Sequence, residues 1–199
     1  MRFVLKFLIC VILAVGAGAF YLAMRSGDIV YTLHELISPA RYQQHDRLIR
    51  EVAARNGIDP MLVKAVVWRE SRFDAEKYGS AGERGLMQVS ELAAKEWAKE
   101  NQVENFHAEE LFDPVVNVQA GTWYLARAVG HWKAQTDPVP FALAEYNAGA
   151  SRAQRWAGGS ATGVIAPNDF LRNIDFPGTR KYVDSIMARY AFYKQRGRM

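Results

Sequence analysis

Glu70 is the residue of this chain whose position best suits acid–base chemistry. It closes the segment 61–70, MLVKAVVWRE, which is apolar nearly all round and therefore predicts a buried helix. A carboxylate in the last turn of a helix lies at the negative end of the helix dipole, and apolar neighbours keep water away from it. Both effects raise a carboxyl pKa, as a general acid working near neutral pH requires. The spacing alone leaves open that Glu70 points to solvent or pairs with Arg69 or Arg72.

Four short segments along the chain are more informative together than any one of them is alone. They are Glu70-Ser71-Arg72-Phe73-Asp74, Gly85-Leu86-Met87-Gln88, Glu145-Tyr146-Asn147-Ala148-Gly149 and Thr179-Arg180-Lys181-Tyr182-Val183. In this order they resemble the catalytic motifs of the lytic transglycosylases of the soluble (SLT) type, which are related to goose-type lysozyme. The resemblance extends over about residues 45–190 and implies an enzyme that cleaves peptidoglycan strands.

The first two segments carry the acid and part of the cleft that the resemblance implies. Glu70 would be the catalytic acid/base, and Ser71 would position Glu70 or the substrate. Met87 and Gln88 would line the cleft, with the Gln88 amide hydrogen-bonding to the glycan. Plainer interpretations are a helix-terminating hydroxyl for Ser71 and a core side chain for Met87.

The third segment adds two expected substrate-binding residues. Tyr146 would form a hydrogen bond near Glu70, and Asn147 would hold the substrate or the loop. Without the other segments, Tyr146 would be interpreted as a core tyrosine with its hydroxyl at the surface.

Several positions depart from the family pattern. Lys77 and Glu83 stand where small residues are common, and Ser90-Glu91 replaces the usual Met-Pro. Glu145 replaces the usual alanine before the tyrosine. The sequence favours a solvated or arginine-paired Glu145 over an added cleft carboxylate.

The resemblance implies a mechanism with one acid and with no metal or other cofactor. Glu70 would protonate the bond between N-acetylmuramic acid and N-acetylglucosamine, and the substrate's own acetamido group would assist. Closure of the muramyl 6-hydroxyl onto the anomeric carbon would then give a 1,6-anhydro product. The nearest rival is a goose-type lysozyme-like hydrolase. The sequence is also compatible with a non-catalytic, membrane-anchored glycan-binding module and with a purely structural helical membrane protein.

The elements that must position these residues are predicted to be helices throughout. Asp59-Pro60 and Asp113-Pro114 are typical helix starts, and Asn56-Gly57 is a typical helix end. Strand-like alternation is nearly absent. We therefore expect one all-α domain, which the resemblance makes lysozyme-like, at residues 43–199.

The N-terminal segment predicts a membrane anchor. Residues 7–24 contain no charged side chain, whereas Arg2 and Lys6 precede them and Arg25 follows. This length lies at the lower limit for spanning a bilayer, and the flanking charges favour a cytoplasmic N-terminus. We expect a single-pass helix at 1–25 in the inner membrane, with the catalytic domain in the periplasm or cell-wall space and a juxtamembrane helix or linker at 26–42. A cleaved signal peptide would also fit this segment.

The composition limits the classes of molecule that we expect this chain to bind. The net charge is only +4 and half of the residues are hydrophobic, which indicates a packed core and no nucleic-acid groove. Peptidoglycan strands and the membrane are the expected partners, and the sequence identifies no protein partner. Sugar rings can stack on tryptophans, and Trp156 is the favoured candidate because it precedes the glycine-rich loop 157–169.

Overall fold

The fold is helical, as the sequence predicts. The computed structural model describes residues 2–25, 29–158 and 163–197, with the side chains of 2, 3, 19, 20, 22–25, 29, 31 and 36 left out. In these ranges β structure is limited to two isolated bridges, Tyr78 with Arg84 and Arg84 with Val89. The all-α prediction is confirmed.

Eleven α-helices and one 3-10 helix are formed by the described residues. In chain order the α-helices are α1 Arg2–Arg25, α2 Ile29–Ile37, α3 Pro39–Gln43, α4 Asp46–Arg55, α5 Pro60–Ser71, α6 Glu91–Glu100, α7 Pro114–His131, α8 Val139–Ala148, α9 Ala150–Trp156, α10 Pro167–Asn173 and α11 Pro177–Arg196. The 3-10 helix, Ala108–Phe112, precedes α7.

The N-terminal prediction needs correction. None of the helices in the described part of the chain is long and apolar enough to cross a membrane. The hydrocarbon core of a bilayer requires about 20 consecutive apolar residues, whereas Lys6 and Arg25 limit the uncharged run in α1 to the 18 residues 7–24. The predicted single-pass anchor in the inner membrane, and the location derived from it, are therefore wrong.

Helix α2 lies against the helical domain. The buried guanidinium of Arg189, on α11, is 3.4 Å from a carboxylate oxygen of Glu35 and donates to the Thr32 hydroxyl at 3.3 Å. Since all three side chains are buried, this polar contact is shielded from solvent. The predicted juxtamembrane segment 26–42 thus contains a helix that packs on the domain, whereas 26–28 lie outside the described residues.

Helix α5 forms the centre of the core and carries Glu70 in its last turn. Asp59 caps its start by accepting from the Met61 amide at 2.8 Å, and the same carboxylate binds Lys194 of α11 at 2.8 Å. Seven of its residues from Leu62 to Trp68 are buried, and the helix packs against α4 and α11. It ends where Arg72 takes a left-handed conformation (φ 57°).

The loop between α5 and α6 is held by one buried asparagine of α7. The Asn117 side-chain oxygen accepts from the Met87 amide at 2.8 Å. Its amide nitrogen donates to the carbonyls of Arg84 at 2.7 Å and Leu111 at 2.8 Å. Asn117 thus pairs with backbone polar groups that would be costly to leave unsatisfied inside the protein.

Gly85 is required where this loop meets Asn117. Its φ is +74°, and a Cβ there would lie 2.3 Å from the Leu111 carbonyl oxygen and 2.4 Å from the Asn117 amide nitrogen. Neither neighbour can move without breaking the hydrogen bond between them. Any side chain at this position therefore disrupts the loop.

We predict that Gly85→Ala lowers the free energy of unfolding by about 3 kcal/mol, because it adds overpacking to backbone strain. Urea denaturation measures the change. Gly57→Ala is the matched control: φ is +64° but nothing lies within 4 Å of the added Cβ, so only strain of about 1–2 kcal/mol is expected. Gly130→Ala, on α7 with nothing within 4 Å, should be neutral or stabilising by up to about 1 kcal/mol. If Gly85→Ala costs no more than Gly57→Ala, the close approach has no energetic role.

Candidate active site

A cavity of about 560 Å³ opens at the C-terminal end of α5. Its walls come from the loop after α5, from the start of α6, and from α7 and α8. Polar side chains in its lining are Glu70, Lys77, Tyr78, Ser80, Glu83, Gln88, Ser90, Tyr124, Tyr146 and Asn147. Glu70, Gln88, Tyr146 and Asn147, which the sequence placed at the site, are thus brought together.

The carboxyl of Glu70 is held by a tyrosine from the far end of the chain. The Tyr182 hydroxyl, on α11, donates to Glu70 Oε1 at 2.6 Å. Burial raises the pKa of Glu70 to about 7, although the Tyr182 hydrogen bond and the charges of Arg69 and Lys77 act to lower it. The negative charge of Glu83 raises it further. Glu70 can therefore hold or release a proton near neutral pH.

The end of α5 is also held through its backbone. The Lys77 ammonium donates to the main-chain carbonyl of Glu70, one of the carbonyls that the last turn of a helix leaves without an internal partner. A positive charge at this position also complements the negative end of the helix dipole. Lys77, which the sequence identified only as a departure from the family pattern, thus supports the turn that carries the acid.

Tyr146 is used to hold the loop. Its hydroxyl donates to the Met87 carbonyl at 2.9 Å, and its ring packs edge-on against Tyr124, 5.9 Å between centroids. Burial raises the pKa of the Tyr146 and Tyr182 hydroxyls, so both remain protonated donors. Tyr146 shares the cavity with Glu70, but its hydrogen bond goes to the backbone.

Gln88 and Met87 differ in which way their side chains face. Gln88 lines the cavity, but its amide nitrogen donates to the carbonyls of Lys77 at 3.0 Å and Gly85 at 3.1 Å, which leaves only its oxygen for a ligand. Met87 is fully buried, and a Cβ at Gly121 of α7 would lie 2.6 Å from its sulfur. The Met87 side chain therefore packs in the core and does not line the cleft, because the close approach of α7 encloses it.

Ser71 and Asn147 also act within the protein. The buried Ser71 hydroxyl donates to the Val67 carbonyl at 3.2 Å, a bond inside α5, and Ser71 is not part of the cavity lining. Asn147 lines the cavity, and its side-chain oxygen accepts from the Thr179 hydroxyl at 2.8 Å. Asn147 thus joins the end of α8 to the start of α11.

Glu145 fits neither of the two interpretations drawn from the sequence. It is 4% exposed, and its oxygens lie 2.8 Å from His131 Nδ1 and 2.7 Å from Trp132 Nε1, which donates to it. Residues one apart on a helix point in directions about 100° apart, so Glu145 faces the end of α7 while Tyr146 faces the cavity. It is neither a cleft carboxylate nor solvated nor paired with arginine.

The expected stacking surface is not supplied by Trp156. Trp156 is 2% exposed and donates its indole N–H to Asp175 at 2.7 Å, so it joins α9 to the chain before α11. The glycine-rich loop beside it lies partly, at 159–162, outside the described residues. Within the described ranges, no group of three or more His, Cys, Asp or Glu side chains could hold a metal ion.

Sequence reasoning did not assign a role to Tyr182, Tyr124, Tyr78 or Glu83. Tyr182 lies inside the fourth segment, which was a usable signal. No signal in the sequence identifies Tyr124 or Tyr78, because their place at the cavity depends on how α7 and the loop pack against α5.

We predict that the pH dependence of stability reveals the buried acid. A folded-state pKa of about 7, raised from 4.5, gives a stabilising contribution that is complete below about pH 4.5 and is lost as the pH rises through 7. Glu70→Gln removes that loss. Its stability relative to the unaltered chain should therefore rise by about 3 kcal/mol between pH 4 and pH 8, measured by urea denaturation.

Glu51 serves as the control for this measurement. It is fully exposed, and its hydrogen bond with Arg47 lowers its pKa, so Glu51→Gln should lose relative stability with rising pH. A Glu70→Gln difference that does not change with pH would contradict the raised pKa.

We also predict opposite effects of two substitutions on the pKa of Glu70. Tyr182→Phe removes a hydrogen bond to the charged form and should raise this pKa, whereas Glu83→Gln removes a like charge and should lower it. Carbon-13 NMR titration of the glutamate side-chain carboxyls measures both, with the Glu70 resonance assigned by its loss in Glu70→Gln. Shifts of the same sign would show that the two contacts do not act as the geometry indicates.

Comparison with known sequences identifies relatives of this chain. The Transglycosylase SLT domain family matches residues 47–166. A Haemophilus influenzae protein assigned by name to the soluble lytic murein transglycosylases is 36% identical over 138 residues, 69% of this chain and 22% of the relative. The soluble lytic murein transglycosylase of Escherichia coli is 28% identical over 151 residues, 75% of this chain and 23% of the relative.

A solved structure has the same fold. The crystal structure of the 70-kDa soluble lytic transglycosylase of Escherichia coli superposes with a TM-score of 0.68 at 27% identity, covering 76% of this chain and 24% of that chain. The chain thus spans about a quarter or less of the length of these relatives. Because the family match covers more than half of its residues and includes Glu70 and the cavity, the chain belongs to the Transglycosylase SLT domain family.

Proposed function

We propose that this chain is a lytic murein transglycosylase, which cleaves the β-1,4 bond between N-acetylmuramic acid and N-acetylglucosamine in peptidoglycan. The observation that carries the proposal is a carboxyl with a pKa of about 7 that faces a cavity of about 560 Å³. A sugar-sized open cavity with one poised acid suits the cleavage of a glycosidic bond. The proposal includes the kinship to goose-type lysozyme and a catalytic unit at residues 43–199.

The first step is proton donation by Glu70. The protonated carboxyl gives its proton to the glycosidic oxygen, the bond from that oxygen to the anomeric carbon breaks, and the N-acetylglucosamine side leaves as an alcohol. The acetamido group of the muramyl sugar shares its electrons with the electron-poor anomeric carbon. The Tyr182 hydrogen bond at 2.6 Å fixes the carboxyl while its charge changes.

The second step returns the proton. Glu70, now a carboxylate, accepts a proton from the muramyl 6-hydroxyl, and the 6-oxygen bonds to the anomeric carbon to give the 1,6-anhydro product. No water is consumed, and the acid is restored. A pKa near 7 suits this cycle because the same group must donate and then accept at one pH.

The other site residues divide into ligand contacts and supports in this proposal. Gln88 and Asn147 line the cavity. The Gln88 side-chain oxygen and the Asn147 amide nitrogen are proposed to bind the glycan. Tyr146 contributes its ring to the cavity wall while its hydroxyl holds the loop. Ser71 and Met87, which the resemblance implied as substrate contacts, are proposed to act through the helix end and the loop that they stabilise.

The similarity to named relatives supports the same activity. Proteins from Haemophilus influenzae and Escherichia coli that bear the name of soluble lytic murein transglycosylases align with 69% and 75% of this chain. The chain spans only 22% and 23% of the lengths of these two relatives, and we propose that it shares their activity and substrate.

One observation favours hydrolysis as the second candidate. Glu83 lines the same cavity as Glu70, and glycosidases that use water generally have two carboxylates. Glu83 accepts a hydrogen bond from the Ala81 amide at 3.1 Å, which leaves its other oxygen able to activate water. Asp74, the other nearby acid, is exposed and is not part of the lining.

Mass analysis of products from purified peptidoglycan sacculi tests the proposal. We expect anhydro-muropeptides, which lack the water that a reducing end contains, and no incorporation of oxygen from ¹⁸O-labelled water. Glu70→Gln should reduce the rate at least about a hundredfold, since it removes general acid–base catalysis. Glu83→Gln should retain the anhydro product, because the mechanism uses one acid.

The same experiment separates the competing functions. Reducing ends that carry ¹⁸O, and that disappear in Glu83→Gln, would assign the chain as a hydrolase. Binding to sacculi without any product, equal in the unaltered chain and in Glu70→Gln, would assign it as a non-catalytic glycan-binding module.

A further inference from the structure

Tyr78 is an exposed aromatic residue that lines the same cavity as Glu70. It has no role in the mechanism proposed above. It lines the cavity, yet 61% of its surface is exposed, whereas Glu70 lies in the interior of the site. It therefore sits at the rim of the cavity. A tyrosine with this exposure is free to contact a ligand without any rearrangement of the core.

The Tyr78 ring is held in place by its own loop and by the 3-10 helix Ala108–Phe112. The Arg84 guanidinium lies 5.3 Å from the ring centroid, and the Phe112 ring lies 6.4 Å away with 27° between the ring planes. The backbone on both sides is tied: the Gly79 amide donates to the Glu83 carbonyl at 2.7 Å, and the Gly85 amide donates to the Lys77 carbonyl at 2.9 Å. A ring that is fixed before binding loses little conformational entropy when a ligand contacts it.

The residue after Tyr78 leaves room for two polar side chains of the cavity wall. A Cβ at Gly79 would lie 2.3 Å from Glu83 Oε2 and 2.8 Å from Gln88 Oε1, so a larger residue would make these two flexible side chains shift from their present positions. Ser80 and Glu83, which also line the cavity, offer a hydroxyl and a carboxylate within the same loop. The rim therefore combines one flat apolar ring with polar groups.

We propose that Tyr78 binds a pyranose ring of the glycan strand at the rim of the cavity, on a sugar outside the bond that Glu70 cleaves. N-acetylglucosamine and N-acetylmuramic acid in a β-1,4-linked strand carry their ring substituents equatorially, so each ring face presents axial C–H groups. The negative face of an aromatic ring attracts such groups. The hydroxyls at the edge of the same sugar can bond to Ser80 and Glu83. This inference rests on the proposed function and makes the affinity of the site depend on strand length.

Calorimetric titration with chitohexaose, a β-1,4-linked hexamer of N-acetylglucosamine, tests the assignment. Every chain in the series also carries Glu70→Gln, so that the probe is not cleaved. Tyr78→Ala is expected to weaken binding about three- to tenfold, the range for loss of one aromatic contact. Tyr78→Trp should retain the affinity, and Tyr78→Leu, which keeps the bulk without the flat ring, should behave like Tyr78→Ala.

Leu92→Ala is the matched control, because Leu92 is an exposed apolar residue of α6 (72% exposed) outside the cavity lining. It should leave the affinity unchanged. In the catalytically intact chain, Tyr78→Ala should raise KM by the same factor with kcat unchanged within about twofold. A contact with a remote sugar is equally strong in the ground state and the transition state, so it affects binding alone.

The outcomes distinguish this inference from the proposed function. Equal affinities of the Tyr78→Ala and Tyr78 chains, or full affinity in Tyr78→Leu, overturn the role of Tyr78 while the catalytic proposal is unaffected. Failure of the Glu70→Gln chain to bind chitohexaose at all overturns the inference about Tyr78, whereas the catalytic proposal is decided separately by the products from sacculi. A fall in kcat without a change in KM also overturns the inference, since it places Tyr78 in the chemical step.

Discussion

The removal of the Glu70 carboxyl from water is the constraint on which the site depends. Burial favours the protonated form of this group, whereas full solvation would leave it ionised at neutral pH. The Tyr182 hydrogen bond and the positive charges of Arg69 and Lys77 oppose the effect of burial and bring the pKa to about 7. The packing of α5 against α11 therefore has a chemical consequence, because it delivers the tyrosine to the carboxyl.

The polar residues around the acid mostly build the cavity wall. Asn117 and the Tyr146 hydroxyl bind backbone groups of the loop after α5, and the Gln88 amide nitrogen does the same. That loop has no regular secondary structure of its own, so its backbone donors and acceptors need partners from elsewhere. A rigid loop in turn fixes the rim of the cavity, where Tyr78 is exposed. The shape of the site thus depends on hydrogen bonds to the backbone of this loop.

The region next to the site shows how a single step along a helix changes a residue's role. Glu145 and Tyr146 are neighbours in sequence, yet Glu145 is buried between α8 and the end of α7 while Tyr146 faces the cavity. The carboxyl group of Glu145 contacts two residues that follow one another in the chain: it lies 2.8 Å from His131 Nδ1 and accepts a hydrogen bond from Trp132. A buried acid can therefore be structural in the same helix that serves the catalytic cavity.

The sequence by itself predicted helices and placed Glu70 at the end of an apolar one. Capping at Asp59 and Asp113 and the apolar run before Glu70 are local signals, so they could be recognised without knowledge of packing. Only the tertiary structure decided that Tyr182 holds the acid, that Met87 packs in the core and that Trp156 is enclosed. These outcomes depend on which helix faces meet across long sequence separations, 112 residues for Glu70 and Tyr182, and no local pattern encodes that geometry.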